Sequence, residues 1–201
     1  MLNFTPVREQ KMTYADLAKG LTVKQLRKHV DDMIDTVLKI IADAKDRDVV
    51  MTPVDPQAND TFAANEADKG IAWSLGHVIV HGTASSEESA ALALELARGL
   101  TVEKRSRYET PWETVKTIAQ CRKRLEESRR MQHAMLSAWP DKPSTITYTP
   151  SGRTFEINCT ARFILGLSHQ DSHLEQLREI MRQAMAARAP KKAVKTPADK
   201  R

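Results

Sequence analysis

The chain has 201 residues, 41% of them apolar and 28% charged, which suits one domain around a single core and excludes a disordered polymer. Its formal charge of +5 is concentrated at the carboxyl end, where residues 190–201 carry five basic side chains against one acidic one. The body is close to neutral, which argues against a nucleic-acid-binding surface, and no apolar run approaches the roughly 18 residues a membrane span requires.

In chain order, a short helix is opened by Thr13 and Asp16 and stopped at Gly20. The first long helix begins at Thr22-Val-Lys-Gln25, where the threonine can cap the first turn and the glutamine can reach back to it. Leu26, Val30, Met33, Val37, Ile40 and Ala44 then alternate steps of four and three, one apolar stripe running to about Asp48. Pro53, Pro56, Asn59 and Asp60 predict a loop over 49–69, long enough to border a functional site. The second long helix runs from about Ile71 to Arg98 and stops at Gly99.

Thr110-Pro-Trp-Glu113 predicts the start of the third, with Trp112, Val115, Ile118, Arg122, Leu125 and Ser128 on its inner side and an end near Trp139-Pro140. Residues 145–149 and 154–157 flank Pro150-Ser-Gly-Arg153 as a β-hairpin. The fourth long helix spans about Cys159 to Arg188, with Phe163, Leu167, Leu174, Leu177 and Met181 on its core stripe and Gln170 as the polar member. The expected organisation is an all-α domain over 1–189 and a disordered basic tail over 190–201.

Cys121 and Cys159 have no C-x-x-C spacing and read as small buried residues. With no basic-then-apolar segment at the amino terminus, the expected location is cytoplasmic. His29 and His133 sit among charged neighbours and read as solvated, and the methionines of the long helices as core filler. Arg122-Lys-Arg124 and Arg129-Arg130, interrupted by Glu126 and Glu127, read as an exposed helical face.

Four of the six histidines form two pairs: His77 and His81 on the second long helix, His169 and His173 on the fourth. Each pair is spaced i, i+4, so its imidazoles share a helical face where they can bind one ion. Three imidazoles from two helices would leave an open position on the metal, as a catalytic site needs. A hydrogen-bonded histidine cluster in the core fits the same pattern, and the pattern does not choose between His77 and His81. Gly166, one turn before His169, removes a side chain and would leave room for an ion or substrate. Glu87 and Glu88, a turn and a half past His81, are the candidates for a base.

Trp73-Ser74 at the start of the second helix, His81 eight residues on, the 145–157 hairpin, and His169 and His173 followed by Gln176 and Leu177 resemble the DinB-like family, with its YfiT-type proteins and the mycothiol-dependent maleylpyruvate isomerase amino-terminal domain. The resemblance spans roughly residues 22 to 188. It implies an up-down-down-up four-helix bundle with metal ligands at His81, His169 and His173. The ligand of the first pair is the one eight residues past the tryptophan, and His77 remains as an additional or alternative ligand.

By the same resemblance the ion is divalent, zinc or nickel foremost, and the activity a thiol transfer from a low-molecular-weight thiol to a small electrophile. A metal-dependent hydrolase and a non-enzymatic stress-associated bundle are the alternatives. A homodimer paired through helical faces is expected as well.

Overall fold

The computed structural model describes residues 1–60, 66, 69–101, 110–150 and 154–189. Its described elements are all helical: α1 (Thr5–Arg8), α2 (Tyr14–Ala18), α3 (Val23–Ile40), α4 (Asp46–Val49), α5 (Leu75–Ala97), a 3-10 turn over Trp112–Thr114, α6 (Ile118–Ser137), α7 (Cys159–Ser172) and α8 (Leu174–Arg188). No helix among the described residues is long and apolar enough to cross a membrane. The expected tail lies outside the described residues.

Local chemistry sets the helix starts. Thr13 with Asp16 and Thr22 with Gln25 form the reciprocal caps read from the sequence, opening α2 and α3. Gly20 adopts φ +78° and Gly99 φ +84°, a backbone region open to glycine without strain. At Gly99 the stop is a full C-terminal motif, with Leu100 N–H on Glu95 O at 3.0 Å and Gly99 N–H on Leu96 O at 2.9 Å.

Several boundaries differ from expectation. The first long helix ends at Ile40 instead of Asp48. The chain turns, and α4 restarts where the buried carboxylate of Asp48 accepts from Lys45 N–H at 2.7 Å. Arg188, the last residue of α8, approaches the same carboxylate at 3.4 Å and ties that corner down. The third long helix starts at Ile118, not at Thr110. Pro111–Thr114 makes only the 3-10 turn, and the working cap is Thr117 with Gln120. Its buried side is accordingly Cys121, Leu125, Ser128, Gln132 and Leu136, with Arg122 exposed.

The hairpin reduces, among the described residues, to one antiparallel bridge between Tyr148 and Ile157, whose backbone groups exchange both hydrogen bonds. Its tip, 151–153, lies outside them. The fourth long helix is two, α7 and α8, separated at His173.

Packing centres on α5. It lies against α6 on one side and α7 on another, while α3 packs against α6, α7 and α8. Fifteen of the 23 residues of α5 are buried, many of them Gly, Ala, Ser or Thr, which lets neighbouring backbones approach. The expected stripe is covered by the chain's own core at Leu26, Val30, Met33, Val37 and Ala44, while Ile40 is half-buried and Ile34 and Ile41 are fully buried beside it. Burial of these side chains contributes roughly 1.5–3 kcal/mol each. That stripe is therefore no spare face for a second copy. Met33 and Met181 fill the core as expected, whereas Met185 is half exposed. Of the expected 49–69 loop, Val49 belongs to α4, and the chain beyond it is tied to α8 at Val54, where Gln183 bonds both the N–H and the C=O.

Candidate metal centre

Two capped helices carry the histidines inward. The Ser74 hydroxyl accepts from His77 N–H and starts α5, so Trp73 stands just outside the first turn and His81 two turns in. Asn158 accepts from Ala161 N–H at 2.9 Å and starts α7, which carries His169. At its end the amide of His173 bonds Gln170 O at 3.1 Å, three residues back, and His173 is at once the last cap of α7 and the first of α8.

One ring nitrogen from each of His81, His169 and His173 lies within 4.8 Å of the other two, and each residue is half-buried. His81 Nε2 and His169 Nε2 are 3.2 Å apart. Two imidazoles on a tetrahedral ion at 2.0–2.1 Å would have nitrogens about 3.3 Å apart, so the spacing suits a shared ion. His173 Nδ1 donates to Gln176 Oε1 at 2.9 Å, which leaves Nε2 as its lone-pair nitrogen. The donor set thus fits a divalent ion: three neutral nitrogens, one with its tautomer held by an outer partner, and an open side. No carboxylate among the described residues joins the group.

Trp73 walls the cluster, its ring 4.6 Å from His81 and stacked 5.8 Å from His173. His77, the other candidate ligand, stands outside the group of three. Its imidazole is sandwiched between Trp73 at 4.5 Å and Trp112 at 4.7 Å, the latter within 5° of parallel. Trp112 enters through the 3-10 turn, a role the sequence reading did not give it.

Gly166 makes no room for a ligand, contrary to expectation. A Cβ there would come within 2.5 Å of Ser89 Cβ, so the glycine lets α7 lie directly on α5. Beside it the Ser86 hydroxyl donates to Gln170 Oε1 at 3.0 Å, which accounts for the polar position on the α7 stripe. Glu87 is no poised base: it pairs with Arg124 at 2.5 Å. Glu88 is half-buried one position later.

Cys121 and Cys159 are buried free thiols; burial pushes Cys121 up to about 12 and Cys159 up as well, so both stay protonated and inert. His29 and His133 are half-buried, not solvated, with side chains 17% and 26% exposed beside Asp32 and Asp31. The basic stretch of α6 is only partly the exposed face expected: Arg122, Lys123 and Arg130 are exposed, whereas Arg124 and Arg129 are half-buried and paired with Glu87 and with Asp31, Asp35 and Glu126.

Compared with family models, curated proteins and solved structures, the chain matches none.

Proposed function

We propose that the chain is a divalent-metal-dependent enzyme of the DinB-like kind, an up-down-down-up four-helix bundle that transfers a small thiol to a small electrophile. The observation that supports this is the convergence of His81, His169 and His173 to within 4.8 Å with no carboxylate among the described residues in the group. Neutral ligands leave the full charge of the ion to be balanced from outside the protein, and an anionic sulfur does so. Zinc or nickel held there supplies Lewis acidity, which lowers the pKa of a bound thiol or water.

The chain's own residues do the rest. Gln176 holds His173 in the tautomer that presents Nε2. Trp73 shields one side of the imidazoles and leaves the other half-open. A hydrolytic reading needs a base for the attacking water, and Glu87 is already committed to Arg124. A homodimer stays in the proposal by resemblance alone and on a face other than the α3 stripe, which the chain's own core covers; light scattering is its check.

The test is elemental analysis of protein purified without a tag, followed by turnover on a panel of electrophiles with and without a low-molecular-weight thiol. One ion per chain and product only with thiol present is the expected result. Metal-dependent product without thiol would replace transfer by hydrolysis. A chain that folds, binds the ion and turns over nothing would leave a non-enzymatic bundle.

A further inference from the structure

A cavity of about 340 Å³ opens beside His169, in the groove between α5 and α7. That is the low end of the range for small-molecule sites. Its walls are basic and hydroxylic: Arg8, Tyr14, Ser85, Ser89 and Arg162 line it together with His169, and no carboxylate among the described residues does. Through His169 it adjoins the three-histidine site. Ser85 and Ser89 follow His81 at i+4 and i+8, so they continue its face of α5. Arg162 precedes His169 by seven residues, two turns along the facing helix and about 10 Å away along its axis.

Arg162 is 4% exposed, and its Nη1 donates to Ser89 Oγ at 3.0 Å, which fixes the guanidinium against the cavity wall. Arg8 stands at the rim, 43% exposed, and pairs with Asp171. A guanidinium fork kept in a hydroxyl-lined recess matches a planar carboxylate.

We infer that this cavity is an anion subsite that takes the carboxylate of a small substrate whose other end reaches the three imidazoles. The inference rests on the metal-site reading for what lies at that other end, while the carboxylate recognition stands on the cavity alone. The substrate class is an acyclic acid with four to six carbons between its metal-seeking atom and its carboxylate, the length that spans one to two helical turns, about 5–10 Å. Arg162 binds the anion, Arg8 guides it in at the rim, and Ser85 and Ser89 donate to its free lone pairs.

Two measurements on the full chain test this. In the first, cobalt-loaded protein is titrated with 6-mercaptohexanoate and with 6-mercaptohexan-1-ol, following the sulfur-to-cobalt absorption band. The acid is expected to bind about tenfold more tightly, as a charge-assisted hydrogen-bonded pair implies. Arg8→Gln, a change at the exposed rim whose folding is checked by its unfolding midpoint, is expected to reduce that preference several-fold. Arg162→Lys, which keeps the buried charge but loses the fork, is expected to reduce it further. Equal affinity of acid and alcohol for the unaltered protein overturns the subsite and leaves the metal site standing.

The second uses metal-stripped protein and follows the arginine Nε–Hε signals during titration with hexanoate and hexanamide. Movement of the Arg162 signal by the acid alone supports the subsite even if cobalt fails to bind. Movement by neither compound, or equally by both, overturns it.

Discussion

The Nδ1 of His173 donates to Oε1 of Gln176, three residues further on, at 2.9 Å. The bond joins the residue that separates α7 from α8 to the first turn of α8, so ring orientation and helix start are set together. An imidazole held this way presents Nε2 with no cost of tautomer exchange when an ion binds.

Replacing Gln176 with leucine keeps the size and removes that acceptor. Metal affinity is expected to fall by about 10–100-fold with little change in the unfolding midpoint. Competition against a colorimetric chelator measures it. Unchanged affinity would mean that the ring is oriented by packing against Trp73 instead.

Alanine at His81, His169 or His173 is expected to abolish stoichiometric metal binding, each leaving two nitrogens of the three. His77→Ala is expected to retain the ion and to loosen the stack of Trp73 and Trp112, seen as a shift in tryptophan fluorescence. Elemental analysis of the four variants separates the roles. Metal lost from the His77 variant would make it a ligand after all.

Gly166→Ala tests the contact between α5 and α7. The new methyl would meet Ser89 Cβ at 2.5 Å and the Ser86 backbone at 3.2 Å, so the helices must separate. A loss of about 1–3 kcal/mol in chemical denaturation is expected, partly restored when Ser89→Gly is added. A neutral substitution would show that α7 can slide at no cost.

His29 gives a pH dependence. Burial, then the nearby amino terminus, lowers its pKa below the ordinary 6.5, while Asp32 opposes them. The unfolded chain then binds more protons than the folded one between the two values, so this contribution is complete above about 6.5 and is lost as pH falls towards the folded pKa. His29→Gln is expected to flatten the decline in stability between about pH 7 and 5. Urea unfolding at fixed pH steps checks it, and slopes identical to the parent's would count against it.

Helix identity and the histidine site were legible in the sequence because both rest on local spacing. Leu26, Val30, Met33 and Val37 declare a buried face by their period, and His169 and His173 share a turn whatever surrounds them. Boundaries were harder. Thr110-Pro-Trp-Glu113 and Thr117-Ile-Ala-Gln120 carry equally good caps, and the choice between them lies in where Trp112 finds a partner, His77, far away in sequence. The break at His173 and the Ser89 contact of Gly166 are tertiary for the same reason. The basic cavity was invisible too, since Arg8, Ser89 and Arg162 share no motif and meet only when three helices close.

Between Leu75 and Ala90 every residue of α5 is buried except His77, His81, Glu87 and Glu88, which are half-buried. A helix so enclosed has little freedom to fray on its own, and its amides should exchange with solvent mainly when the whole domain opens. His81 is therefore an anchored post, while His169 and His173 sit beside a joint between two shorter helices. If ion and ligand enter through that joint, exchange rates measured amide by amide are expected to divide at residue 173, and uniform protection across α5, α7 and α8 would count against it.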